Sequence, residues 1–254
     1  MDTVLHPIDV SDARADGLSW SLQLPPGVPR GADQTDFFGS PLRLVEDGRD
    51  LGPGTALHTE IRDLGGGRFH HWLRTLYFST PDGSDPRTNG RVYALAGAPM
   101  RVETGPWARR AAHEMNIAES FLVRFATLGV DVAGKDLLEL GPGATLGASL
   151  LLACAGARVT VADRFPARFR PDTIPLYQLL ERDWHMDTAP IAAVLAEGGF
   201  SAALRSVPEA AESLDSVADA SMDVVISNAV LEHVRDIGQA ARELRRVSRP
   251  GAWH

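Results

Sequence analysis

Lysine is almost missing from this 254-residue chain: Lys135 is its only one, and arginine carries the rest of the positive charge. Acidic residues outnumber basic ones, 33 to 25, for a net charge of −8. That balance argues against a nucleic-acid groove built on a general basic excess. Cysteine is equally scarce. The single Cys154 permits no internal disulfide, which fits a reducing compartment, and its apolar surroundings read as core rather than nucleophile. No apolar stretch approaches the length of about 18 residues that a membrane span needs. The start, Met1-Asp-Thr-Val-Leu-His-Pro7, has neither a basic flank nor an apolar run. These absences predict a soluble, cytoplasmic protein with neither nucleic acid nor membrane as partner.

What is present changes texture along the chain. Residues 1–36 are rich in Asp, Pro and Gly without periodicity and read as irregular. Strand-like runs follow at 42–46, 56–64, 69–79 and 91–96, the last two separated by the turn formers Thr80 to Gly90. They predict a small β-rich domain over 37–100, a sandwich of antiparallel strands. His58, His70 and His71 invite a metal reading. His70 and His71 are neighbours in a predicted strand and point to opposite faces, so only one can join His58, and no metal site is expected. Asp82, Ser84, Asp85 and Asn89 lack a calcium loop's distal bidentate Glu and read as a turn. From Pro106 the pattern becomes helical: Ala111, Met115, Ala118, Phe121, Leu122 and Phe125 form an apolar face that Gly129 ends.

The most informative stretch is Asp136-Leu-Leu-Glu-Leu-Gly-Pro-Gly-Ala-Thr-Leu-Gly147. It reads as a short buried strand, a turn at Gly141 and Gly143, and a helix opening at about Thr145, the expected N-cap, and closing at Gly156. Such a unit aims backbone N–H groups and a positive dipole end at a ligand. A second strand, Arg158-Val-Thr-Val-Ala-Asp163, ends in an acid 20 positions after Gly143. That separation suits a carboxylate accepting hydrogen bonds from a ribose, although a solvated strand-end carboxylate fits as well. Between 164 and 199, four prolines frame helices at about 175–184 and 190–197, and a short third strand is expected at 203–207. A further buried strand, Val224 to Ser227, continues through Asn-Ala-Val-Leu-Glu-His-Val234 into a helix, with apolar spacing resuming from Ile237 to Val247 before Arg249-Pro-Gly251.

These segments, in this order, resemble the class I S-adenosylmethionine-dependent methyltransferase family. There the glycine turn is written E-x-G-x-G, the central strand D-V-V-x-S-N-x-V-L-E-H-V and the helix exit K/R-P-G-G. Glu139, Gly141, Gly143, Asp163, Asp223, Ser227, Asn228, Leu231, Glu232, His233, Arg249, Pro250 and Gly251 occupy the corresponding positions, from about Ala111 to the last residue. The resemblance implies a Rossmann-like, doubly wound, mostly parallel α/β sheet with strand order 3-2-1-4 in a domain over 106–254. It implies S-adenosylmethionine as cofactor, held by Glu139, Gly141, Gly143, Asp163 and Asn228, and methyl transfer to a small-molecule or sugar acceptor. Asn228 then stands beside the reactive methyl, and His233 either serves as a base or packs its helix onto the sheet. The adenine-side acid is Glu209 or Glu212, because Ala210 stands where the family has Asp. On the preceding helix, His113, Glu114 and Asn116 are either lid residues or an ordinary polar face.

One departure stands out. The family fold continues through a fifth strand and an antiparallel pair, whereas Ala252-Trp-His254 falls about where the fifth strand begins. The sheet is therefore expected to be incomplete, truncated before its last strands, with Val224, Val225 and Ile226 on an unpaired side open to self-association. Two other classes stay open. A non-catalytic, methyltransferase-like binding protein would hold a glycan or a protein partner. An NAD-dependent oxidoreductase would share the glycine turn and Asp163, but Lys135 precedes the first strand and leaves no Tyr-x-x-x-Lys pair.

Overall fold

A computed structural model describes residues 3–33, 36–37, 39–51 and 54–254. Two compact units divide the chain, Met1–Glu119 and Ser120–His254, with the boundary inside a helix that begins at Pro106.

The first unit is a pair of four-stranded sheets. Its strands are β1 (Val4–Ile8), β2 (Arg14–Asp16), β3 (Ser19–Gln23), β4 (Arg43–Glu46), β5 (Arg49–Asp50), β6 (Phe69–Trp72), β7 (Thr75–Phe78) and β8 (Tyr93–Gly97). They pair antiparallel in the orders β1-β8-β4-β5 and β2-β3-β7-β6. Alternate residues of both sheets, among them Trp20, Leu22, Leu76 and Phe78 from one and Leu44, Tyr93 and Leu95 from the other, share one core, which is the sandwich the alternation predicts. Three strands form within residues 1–36, where irregular chain is expected, because Trp20 and Leu22 of β3 are core residues and carry β2 along; residues 1, 2, 34 and 35 of that segment lie outside the described residues.

Two other expectations are corrected here. The run 69–79 is a hairpin, not one strand: it reverses at Leu73 (φ 51°), whose N–H and carbonyl pair with Ala32 and Gly31. The run 56–64 is largely a helix, α1 (His58–Leu64), because Glu60 accepts the Leu57 N–H at 3.1 Å and Ile61 is fully buried. The unit closes with the first part of α2 (Pro106–Thr127), on which Glu114 is buried against Arg110 and Asn116 accepts from the Thr75 hydroxyl at 3.4 Å.

The second unit is a five-stranded sheet of β9 (Asp136–Leu140), β10 (Arg158–Ala162), β11 (Arg205–Val207), β12 (Met222–Ser227) and β13 (Ser248–Trp253). All neighbours are parallel, in the order β11-β10-β9-β12-β13, which contains the expected 3-2-1-4. Helices α3 (Gly147–Cys154), α4 (Ile174–Asp183), α5 (Ala189–Glu197) and α6 (Ile237–Val247) connect the strands. Leu137, Leu138, Val159, Val161, Val224 and Val225 are all buried, as parallel strands covered on both faces require.

The expected unpaired flank of β12 is corrected. Arg249-Pro-Gly251 is not an exit preceding a missing strand but part of β13 itself, which starts directly after α6 and pairs Met222 with Ser248 and Val224 with Trp253. Gly251, at φ 82°, absorbs the register shift between those pairs. Val224, Val225 and Ile226 are therefore buried at 1, 4 and 6 % exposure.

Candidate functional site

The register of the parallel sheet aligns the ends of four strands. Leu140 pairs with Ala162 and with Ser227, and Ala162 pairs with Val207. The next residue along each of the three central strands is Gly141, Asp163 or Asn228. The row is held by two more ladder bonds, from the Gly141 N–H to the Ala162 carbonyl at 2.9 Å and from the Asp163 N–H to the Val207 carbonyl at 3.2 Å. Three positions separated by 87 residues of sequence thus stand side by side at the carboxyl edge of the sheet, where open α/β sheets bind ligands.

The glycine turn is built for close approach. Gly141 and Gly143 both lie in the left-handed region, at φ 58° and 77°. A Cβ at Gly141 would sit 2.5 Å from a Val230 methyl carbon, so the turn and the loop after β12 close on each other with no space for a side chain. The helix starts one residue later than expected, with Leu146 rather than Thr145 at the N-cap position, at φ 52°. Thr145 is buried just before it, and its carbonyl accepts the Tyr177 hydroxyl at 2.9 Å. The positive dipole end of α3 thus follows directly on the glycine turn.

Glu139 is 3 % exposed and accepts the Ser149 hydroxyl at 2.6 Å. The bond spans from β9 to α3 and seats the helix against its strand. Ser149 is a residue that sequence reading missed; its only signal is a hydroxyl inside the otherwise apolar run Leu146–Ala155.

Asp163 is half-buried, and its Oδ1 accepts the Phe165 N–H at 2.7 Å, which folds the chain sharply away from the strand end and leaves the Phe165 ring 82 % exposed. Asn228 and His233 are exposed. The chain after β12 makes a bend at Ala229 (φ 54°) and one short 3₁₀ turn, Leu231–His233, rather than the longer helix expected there. The α-helix waits until Ile237 because Asp236 supplies its cap, accepting the Gln239 N–H at 2.8 Å.

The two candidate adenine-side acids are both tied into turns. Glu209 accepts the Ser216 N–H at 3.0 Å, and Glu212 accepts the Arg235 N–H at 2.9 Å. That backbone N–H holds the Glu212 carboxyl below its ordinary range. Glu212 therefore joins the segment after β11 to the loop that carries His233. Arg246 fixes the same segment to α6, donating to the Leu214 and Val217 carbonyls at 2.8 and 2.9 Å and to Glu243 and Asp219. Cys154 lies buried on α3 and burial pushes its thiol up to about 12, as befits a core residue.

Comparison with known proteins agrees with this architecture. Residues 176–254 match the model of the methyltransferase domain family. No curated protein matches the chain. Among solved structures, the chain is similar to an S-adenosylmethionine-dependent methyltransferase from Mesorhizobium loti, at 17 % identity and a TM-score of 0.35 over 54 % of this chain and 51 % of that one. It is similar to an arsenic(III) S-adenosylmethionine methyltransferase from Chlamydomonas reinhardtii, at 22 % identity and a TM-score of 0.32 over 48 % and 38 %. A methyltransferase from Methanosarcina mazei gives 25 % identity and a TM-score of 0.33 over 50 % and 53 %. The chain spans less than two thirds of each of these structures, and at such TM-scores the likeness carries no weight beside the strand order. The match over residues 176–254 and the all-parallel strand order make the C-terminal unit similar to a methyltransferase domain of Rossmann-like fold, for which S-adenosylmethionine is the implied cofactor.

Proposed function

We propose that the C-terminal unit binds S-adenosylmethionine along the row Gly141, Asp163 and Asn228 and transfers its methyl group to a small-molecule or sugar acceptor. The row itself is the observation that supports this reading most: three residues of the right chemistry, following three adjacent strands, at one sheet edge beside the start of α3. Bound there, the cofactor supplies an electrophilic methyl on a sulfonium centre.

The chain's own residues have separable roles in this proposal. Gly141 and Gly143 bring the backbone close enough for N–H groups to reach the ligand. Asp163, fixed at its strand end by the Phe165 N–H, accepts ribose hydroxyls through its carboxylate. Glu139 is a positioning residue acting through Ser149. Glu212, or Glu209, lies on the segment that takes the adenine side. Asn228 orients the acceptor in line with the methyl, since alignment contributes much of the rate. His233 takes the acceptor's proton when the acceptor is a hydroxyl or an ammonium; its exposure favours this over a packing role. The small-molecule reading rests on the net charge of −8, and the cytoplasmic one on the lone cysteine.

Calorimetric titration of the protein with S-adenosylmethionine and with NADH tests the proposal, followed by methyl transfer to a panel of hydroxyl and amine acceptors. Binding of S-adenosylmethionine with turnover of some acceptor supports it. Binding without any turnover favours a non-catalytic binding protein, and binding of NADH alone overturns it.

A further inference from the structure

We propose that His58 and His70 of the N-terminal unit form a two-imidazole site for a divalent transition cation of the zinc, nickel or copper type. The two rings come from different elements, His58 from the first turn of α1 and His70 from β6, and Nε2 of His58 lies 3.1 Å from Nδ1 of His70. The orientation of His70 is fixed from its other side. Its Nε2 lies 3.2 Å from the Phe37 carbonyl, which accepts the ring proton, so the lone pair sits on Nδ1 and points at His58. Metal-binding histidines use this arrangement, with the outer nitrogen donating to a carbonyl and the inner one coordinating. Two nitrogens about 2.0–2.1 Å from a tetrahedral cation stand about 3.3 Å apart, so the gap opens by a few tenths of an ångström and the rings turn until both lone pairs converge on the cation.

The surroundings favour neutral, coordinating imidazoles. His70 is fully buried, and burial lowers its ring below the usual imidazole value. Tyr77 stacks on His58 with ring centroids 4.1 Å apart, and the Trp72 ring stands 5.9 and 5.4 Å from the two imidazoles, nearly edge-on. These rings restrict the pair while His58 itself stays exposed and gives a cation access. Without a cation, the same contact is a hydrogen bond from His58 Nε2–H to His70 Nδ1. Binding moves that proton to Nδ1 of His58, so the charge of the two imidazoles is unchanged and no proton is released. Among the described residues no group of three or more His, Cys, Asp or Glu side chains could hold a metal ion, so coordination is completed by water or an added ligand. A donor set of imidazoles alone selects zinc, nickel or copper over calcium and magnesium.

The test is calorimetric titration of the metal-free protein with Zn²⁺, Ni²⁺, Cu²⁺ and Mg²⁺, repeated on His58→Ala, His58→Gln and, as a control on a different sheet, the half-buried His6→Ala of β1. His58 is exposed, so its replacement leaves the sandwich core untouched, and circular dichroism checks the fold. The expected result is one Zn²⁺, Ni²⁺ or Cu²⁺ per chain, no heat with Mg²⁺, and affinity at least about tenfold lower in both His58 variants. Absence of binding by all three transition cations overturns the proposal. So does binding that both His58 variants retain in full, or that His6→Ala abolishes instead.

Discussion

Asp136 and Arg249 stand 113 positions apart in the chain and 3.0 Å apart in space. Arg249 also reaches Asp223 at 2.6 Å, Arg158 holds the other side of Asp136, and the Asp136 N–H donates to Asp223 at 2.9 Å. One network thus joins the starts of β9, β10 and β12 to β13. It lies at the edge opposite the glycine turn, so the arginine of the Arg-Pro-Gly segment holds the sheet together and stays away from the site.

That network predicts a pH dependence. Arg158 beside Asp136 holds its carboxyl low, and the Asp136 N–H followed by Arg249 does the same for Asp223. Both folded-state values are depressed, so the stabilisation is complete above the unfolded value of about 3.9 and is lost as pH falls through the folded values. Arg249→Ala should therefore lower the urea midpoint at pH 7 and approach the parent protein as the solution is acidified. Equal differences at pH 7 and pH 3 would argue that Arg249 acts through packing alone.

Gly141→Ala should damage the turn twice over. A side chain at φ 58° costs about 1–2 kcal/mol, and its Cβ would press on Val230 at 2.5 Å. Adding Val230→Ala should restore part of the lost thermal stability and leave the backbone strain. Full recovery in the double variant would show that the left-handed conformation is unimportant.

Ser149→Ala leaves the buried Glu139 carboxylate without the hydroxyl that donates to it. A hydrogen bond to a charged group is worth about 1.5–3 kcal/mol, which sets the expected loss in denaturant unfolding. Cofactor affinity should fall as well, because the start of α3 is no longer seated on β9; unchanged affinity would separate the Glu139–Ser149 bond from the site.

Asp163→Ala should weaken S-adenosylmethionine binding by about 1–3 kcal/mol with the fold intact. Calorimetry of the purified variant measures this directly. An unchanged dissociation constant would falsify the ribose role.

His233→Ala should reduce turnover of a hydroxyl acceptor at neutral pH by about 10²–10⁴-fold while cofactor binding holds. The steady-state rate across pH 6–9 is the measurement; a variant that keeps its rate excludes His233 as the base.

What the sequence determined by itself was the sequence of local units. Four apolar runs with intervening helices, a glycine turn, an acid after the second strand and Asn228 after the fourth are patterns of a few adjacent residues, each set by backbone conformation or hydrophobic period. Together with the family resemblance that they carry, they led to the order 3-2-1-4, which the sheet contains. Tertiary structure decided the rest. His58 lies on a helix because Glu60 caps it and Ile61 finds a core, and the hairpin at Leu73 lacks glycine because Ala32 and Gly31 hold its backbone. β13 extends β12 across a bulge, and Glu139 turns to Ser149. The meeting of His58 and His70 joins a helix to a strand. Each of these depends on a partner that local period does not specify, and the hydrogen bond or contact that decides it exists only once the chain has brought the two positions together.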